Sequence, residues 1–199
     1  MSDQPIDSGK RTWIIASSCA GVVGAGFAAA PFIGSFQPSE RARAAGAAVE
    51  VDISALKSGE KMTVEWRGKP VWIVKRTPEQ LAALPKVDAL LADPKSARKP
   101  AELTPAYARN EYRSIKPEIF VTVGICSHLG CSPSDKFVPG AQPSLPDDWA
   151  GGFLCPCHGS TFDMAGRVYK NKPAPDNLEV PPHMYLSDTR LVIGEDKKA

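Results

Sequence analysis

The chain has 199 residues, 24 Lys and Arg against 22 Asp and Glu, a net charge of +2, and five cysteines. The charges are mixed along the sequence and no phosphate-cradling glycine loop occurs, so nothing supports nucleic-acid binding. Beyond an apolar N-terminal stretch about 150 residues remain, ample for one domain.

No charged residue falls between Arg11 and Glu40. Trp13 to Phe36 is therefore an apolar stretch of about 24 residues, roughly 36 Å as a helix and enough to cross a hydrocarbon core. Gly21, Gly24 and Gly26 make it a smooth helix, suited either to close packing on neighbouring helices or simply to lipid. Pro31 is expected to kink or end the span, and Cys19 reads as an inert apolar filler. Lys10 and Arg11 before the span and Glu40, Arg41 and Arg43 after it leave the positive-inside count nearly balanced. Ser8-Gly9-Lys10-Arg11-Thr12-Trp13-Ile14 resembles a twin-arginine export signal with Lys in place of the first Arg; an ordinary basic flank is the alternative. No cleavage pattern stands out. The expected layout is a cytoplasmic N-terminus over 1–12, an uncleaved single-pass anchor over 13–36 and a C-terminal domain in the periplasm of a bacterial cell. Residues 37–48 are small or polar and predict a flexible hinge of roughly 40 Å when extended.

From Val49 the pattern is that of strands. Val49–Ile53 alternates, and Lys61–Trp66 and Pro70–Lys75 flank the turn Arg67-Gly68-Lys69 as a hairpin. Residues 77–118 open with Thr77-Pro78-Glu79, an N-cap followed by proline at the first helical position. Pro85, Pro94, Pro100 and Pro105 cut this region into one or two short helices and loop. Ile119–Ile125 is a strongly apolar strand. Short strands also fit Phe153–Cys155, Arg167–Tyr169, Met184–Ser187 and Arg190–Ile193, with Asp135–Gly152 an extended surface loop. The expectation for 49–199 is an all-β domain of small antiparallel sheets.

Four of the five cysteines and two of the three histidines fall in two boxes, Cys126-Ser-His128-Leu-Gly-Cys131 and Cys155-Pro-Cys157-His158-Gly-Ser160. Each pairs a thiolate donor with an imidazole donor. Two Cys and two His can place a [2Fe–2S] cluster's thiolates on one iron and its imidazoles on the other; the same set also suits tetrahedral zinc. The surplus Cys131 and Cys157, one in matching places of each box, suggest a disulfide, which a zinc site seldom needs and which an oxidising compartment permits. Gly130 and Gly159 are expected to let backbone N–H groups approach the sulfurs. His183 matches no ligand position and reads as an ordinary surface or packing residue.

The boxes C-x-H-x-G-C and C-P-C-H-G-S, with Lys172-Pro-Ala-Pro-Asp-Asn-Leu-Glu-Val-Pro181, resemble the Rieske iron–sulfur subunits of the cytochrome bc1 complex. The resemblance implies an all-β Rieske fold plus one transmembrane helix, with a cluster-binding subdomain at about 124–176. It implies that Cys126 and Cys155 bind one iron, that His128 and His158 bind the other, that Cys131–Cys157 is a disulfide, and that Ser160 bonds a bridging sulfide. It makes His158 the group that meets quinol, and Pro173-Ala174-Pro175 a loop covering the cluster, with Lys172 where the family usually has glycine. It further implies cytochrome b and cytochrome c1 as partners in a dimeric complex, and 37–48 as the hinge on which the cluster domain swings. The family usually has tyrosine two residues after the serine; Phe162 stands here, and its missing hydroxyl predicts a lower midpoint potential. The nearest alternative is the electron-relay Rieske subunit of a molybdenum enzyme such as arsenite oxidase; the distant one is a zinc-stabilised binding module.

Overall fold

A carboxylate begins the first element. Asp7 Oδ1 accepts from the backbone N–H groups of Gly9 and Lys10 at 3.0 and 3.2 Å, capping two amides that a helix start leaves unpaired. The helix α1 runs Ser8–Ser35, 28 residues, so it begins before Trp13 and continues past Pro31. Pro31 therefore neither ends it nor separates it into two helices. It is long and apolar enough to cross a membrane, with a mean hydropathy of 1.7. The structure, a computed structural model, describes residues 7–40, 46–98 and 103–196, so 41–45 of the expected hinge lie outside the described residues. The chain divides into two compact units, 1–44 and 45–199.

The second unit holds three antiparallel three-stranded sheets among the described residues. The strands are β1 (Val49–Asp52), β2 (Lys61–Trp66), β3 (Lys69–Lys75), β4 (Ile119–Val123), β5 (Ser134–Lys136), β6 (Gly152–Leu154), β7 (Thr161–Asp163), β8 (His183–Tyr185) and β9 (Arg190–Ile193). Their orders are β1-β9-β8, β2-β3-β4 and β5-β6-β7.

The middle sheet organises the rest because both its faces are covered. Along β3, Val71 and Ile73 join a core with Val51, Ile53, Leu56, Ile119, Val121, Leu191 and Ile193. Trp72 and Val74 point the other way, into a core with Phe120, Phe153, Phe162, Met164, Val168 and Leu178. Successive side chains leave opposite faces of a strand, so a strand buried on both faces reads as a continuous apolar run. That explains Val71–Val74 and Ile119–Val123. The β1-β9-β8 sheet closes the first core. The β5-β6-β7 sheet closes the second, where the rings of Trp72 and Phe153 stack with centroids 5.2 Å apart.

Among the described residues, the segment between β3 and β4 forms the short helix α2 (Pro78–Ala83) and the 3-10 turns Leu84–Leu90 and Ala106–Ala108. Thr77 and Gln80 cap α2 reciprocally, the arrangement that stabilises a helix start. The segment is fastened by buried arginines. Arg113 donates to Ser96 Oγ, Thr104 Oγ1 and the carbonyls of Ala165, Gly166 and Leu178. Arg167 bonds the buried Asp163 and also Asp88 and the Leu84 carbonyl. Arg76 donates to Tyr112 O, Met164 O, Ser114 Oγ and Pro117 O. Burial lowers the pKa of Arg76 and Arg113 to about 10, so both stay charged at neutral pH. A buried guanidinium is tolerated only when its donors find acceptors, and here mostly backbone carbonyls supply them.

Three expectations need correction. Arg167–Tyr169 is no strand but touches its neighbours through the isolated bridges Phe162–Val168 and Leu91–Tyr169. Thr161–Asp163 and Ser134–Lys136 are strands instead. The stretch after Asp135 is not wholly surface loop: Trp149 is buried, and its Nε1 donates to Lys136 O at 2.8 Å.

Candidate metal centre

The two boxes are the same turn built twice. In the first, Gly130 N–H donates to Cys126 O at 3.1 Å and Cys126 N–H to Cys131 O at 2.8 Å. In the second, Gly159 N–H donates to Cys155 O at 3.0 Å and Cys155 N–H to Ser160 O at 2.7 Å. Both glycines need the left-handed region, with φ of +80° and +73°, where a side chain is strained. Their own amides engage the carbonyls of Cys126 and Cys155, while the backbone N–H of His128 approaches the Cys126 sulfur. The turn register pairs Cys131 with Ser160, so Cys131 and Cys157 do not occupy equivalent places. β4 leads into the first turn; β6 enters the second and β7 leaves it.

This placement brings together all the residues singled out from the sequence except His183. Cys126 and Cys155 are both buried, 2% exposed each. Burial pushes the Cys126 thiol pKa up; the His128 backbone N–H pulls it back, the Cys155 thiol pushes it further up, and the Ser160 hydroxyl lowers it slightly. The rings of His128 and His158 meet edge to face with centroids 4.7 Å apart. His128 Nδ1 is buried with no hydrogen-bond partner, whereas His158 is exposed. Cys131 and Cys157 form a disulfide with Cα atoms 6.6 Å apart. Cys155 Sγ lies within 4.8 Å of both their sulfurs, but disulfide sulfurs offer no thiolate to a metal.

The proline segment lies on both boxes. Ala174 N–H donates to Ser160 Oγ at 3.0 Å. Ser127 Oγ donates to Asp176 O at 2.6 Å and accepts from Asp176 N–H at 3.3 Å. Phe162 is fully buried in the core that holds Cys126 and Cys155. His183 lies apart, buried in β8 against the Tyr107 ring.

The donor set fits a [2Fe–2S] cluster: two adjacent buried thiols, two imidazoles meeting beside each other, and one ring nitrogen buried without a partner. A Rieske [2Fe-2S] domain model matches residues 107–182. The ubiquinol-cytochrome c reductase iron-sulfur subunit of Allochromatium vinosum is 55% identical over 189 residues, covering 94% of this chain and 89% of that one. The chain belongs to the Rieske iron–sulfur subunits of ubiquinol–cytochrome c reductase. The subunit of the same description from Rhodospirillum rubrum is 39% identical over 189 residues, 94% of this chain and 93% of its own. The mitochondrial cytochrome b-c1 complex subunit Rieske of Solanum tuberosum is 41% identical over 149 residues, 74% of this chain and 47% of its own. The cofactor of this Rieske subunit is a [2Fe–2S] cluster, and the zinc reading falls away.

The sequence reading missed the buried arginines and what they fasten. Arg76 and Arg113 carry no sequence signal, because most of their acceptors are main-chain carbonyls distant in the chain. Asp163 and Arg167 stand four apart, but in a turn, where helical spacing carries no meaning.

Proposed function

We propose that Cys126 and Cys155 hold one iron of the cluster and His128 and His158 the other, and that His158 takes the proton of a quinol. The carrying observation is the asymmetry of the imidazole pair: one ring with a buried, unpartnered nitrogen, the other exposed, both beside two buried thiols. When bound, the cluster supplies a one-electron carrier whose neutral nitrogen ligands place its potential at roughly −150 to +300 mV, far above plant-type ferredoxins.

The chain's own residues supply the rest. His128 would hold the iron through Nδ1, the ring nitrogen that is buried without a partner. His158, which is exposed, would present its remaining ring nitrogen to the quinol hydroxyl, accepting a hydrogen bond and then its proton. Ser160 donates its hydroxyl toward sulfur, which favours the more negative reduced state. The proline segment excludes water from the opposite side.

In this reading α1 anchors the subunit in the bacterial inner membrane with the Rieske domain in the periplasm. Cytochrome b takes the second electron of the quinol, and cytochrome c1 receives the first from this subunit. Residues 37–48 let the domain reach both partners, and the assembly is a dimeric complex.

The test is the dithionite-reduced membrane protein. A rhombic EPR signal, a midpoint that falls with rising alkaline pH, and co-purification with a b-type haem protein are expected. Iron without acid-labile sulfide, or a midpoint flat with pH, would end this reading.

A further inference from the structure

We propose that the Asp93–Arg98 turn of the 77–118 segment is a latch for the proline segment, with Arg98 and Arg113 as positioning residues that set how readily the cluster loops open to water. The proposal rests on the assignment of the two boxes as the cluster site.

Five consecutive residues, Ala174 to Leu178, are gripped from two sides. On one side stand the boxes: Ser160 Oγ accepts from Ala174 N–H and Ser127 Oγ exchanges two hydrogen bonds with Asp176. On the other stands the β3–β4 segment. Arg98 Nη1 donates to Pro175 O at 2.9 Å. Asn177 Nδ2 donates to Asp93 O at 2.9 Å and to Ser96 Oγ at 3.1 Å. Arg113 Nη2 donates to Leu178 O at 2.6 Å. The box side alone leaves the carbonyl of Pro175 and the amide of Asn177 without these partners.

The turn is itself held in place for this task. The Asp93 carboxylate accepts from Ala97 N–H and Arg98 N–H at 2.9 and 3.0 Å, which aims the base of Arg98 at the segment. Arg113 Nε donates to Ser96 Oγ at 2.7 Å, so one hydroxyl receives both the buried guanidinium and Asn177. Ser96 and Arg113 both adopt positive φ, 52° and 49°. Such backbone persists in non-glycine residues only when its surroundings over-determine it, and it concentrates at clamps and switches.

The two kinds of contact differ in how they can let go. Arg113, Ser96 and Asn177 are buried, whereas Arg98 is exposed and reaches Pro175 from the solvent side. Local opening starts where few buried contacts resist it. Arg98 is thus the outer catch, and Arg113 with Asn177 the inner one.

The experiment uses the full-length, detergent-solubilised protein with its cluster. Amide hydrogen exchange of peptides spanning 172–178, and the rate of colour loss in the presence of an iron chelator, are measured for Arg98→Gln, Arg98→Lys and Asn177→Ala, with Lys95→Gln as the charge control. Losing one hydrogen bond of ordinary net strength corresponds to about fivefold in an opening equilibrium. Arg98→Gln should therefore speed loop exchange and colour loss by about fivefold, Asn177→Ala by more, and Arg98→Lys and Lys95→Gln by little. Exchange in β3 and β4 should stay as in the wild type for Arg98→Gln, which a general loss of stability would not allow. Unchanged loop exchange in both Arg98→Gln and Asn177→Ala overturns the latch and leaves the ligand assignment standing. Wild-type protein without iron and acid-labile sulfide overturns the ligand assignment instead, and loop exchange still reads the latch.

Discussion

The two cluster boxes share one backbone turn and differ by one residue in where the histidine falls. His128 is two residues beyond Cys126, His158 three beyond Cys155, and the turn hydrogen bonds are the same in both. One position of shift rotates the imidazole from a half-buried setting, with Nδ1 enclosed, to an exposed one. The place that histidine holds in the first turn is taken in the second by Cys157, and its disulfide partner Cys131 holds the place of Ser160. A repeated turn thus gives equivalent corners, while offsets within it decide which imidazole is exposed and which sulfurs cross-link.

The largest effect should come from breaking the pair itself. In the proposed assignment His128→Gln and His158→Gln each remove one of two ligands to the same iron, and each should abolish the visible colour and the EPR signal of the reduced protein. Retention of a full signal in either variant would show that the histidines are not equivalent ligands and that the pairing of the two turns is wrong.

Next is the cross-link between the turns. Cys131 and Cys157 are 26 residues apart, and closing a loop of that size restricts the unfolded chain by about 3.5 kcal/mol in the chain-entropy model. Cys131→Ser with Cys157→Ser should lower unfolding free energy by about that amount. It should also loosen the first turn relative to the second, leaving the β5–β6 pairing and the proline segment as their ties. Chemical denaturation of the oxidised protein reads it; a change below about 0.5 kcal/mol, the ordinary range for surface substitutions, would mean that the boxes are held together by other contacts.

A smaller effect separates the environments of the two cysteines. Phe162 leaves the second turn on β7 and is fully buried in the core that contains Cys126 and Cys155. Phe162→Tyr adds a hydroxyl donor on that side alone. One hydrogen bond of about 1 kcal/mol, stronger to the reduced state, corresponds to about 40 mV for a one-electron couple. The midpoint should rise by about that amount, read by redox titration with EPR, alongside a thermal melt to check that the added oxygen is accommodated. An unchanged or lowered midpoint removes the argument from the missing hydroxyl.

How much of this was legible in the sequence follows from where each interaction lives. The boxes were legible because metal-ligand residue types cluster within six positions of chain. The hairpin expected over Lys61–Trp66 and Pro70–Lys75 was legible from its turn, and the strand expected over Ile119–Ile125 because an apolar run betrays burial on two faces. The strands formed are Lys61–Trp66, Lys69–Lys75 and Ile119–Val123. The strands β5 and β7 were not: Ser134–Lys136 and Thr161–Asp163 are polar, three-residue strands that exist because Gly152–Leu154 lies between them. The fastening of 77–118 was equally hidden, since Arg76 and Arg113 bond carbonyls that any sequence would supply. Residue chemistry was readable; main-chain partnership across the fold was not.

The smallest predicted effect concerns the histidine outside both boxes, which sharpens the comparison by showing what an imidazole does without iron. His183 Nδ1 donates to Pro181 O at 2.8 Å, so the neutral ring carries its proton there. Its backbone N–H donates to the Tyr107 hydroxyl at 2.9 Å, and Nε2 is buried with no partner. Protonation would place a second N–H in that enclosed position. Burial lowers its pKa below the usual histidine value, with the Pro181 carbonyl and the Asp196 charge opposing the shift more weakly. The unfolded chain therefore binds this proton at a higher pH than the folded one. Above the unfolded value of about 6.5 the group contributes no loss. As pH falls from there through the lowered folded value, the unfolded state binds more protons and stability declines. His183→Asn retains a donor toward Pro181 and cannot titrate, so its unfolding free energy between pH 7 and 5 should fall less steeply than the wild type's. The cluster spectrum should be the same in both, because His183 belongs to the closing sheet and not to either turn. Parallel curves for wild type and His183→Asn would assign the acid sensitivity to other groups, and a lost spectrum would place His183 in the centre it is argued to stand outside.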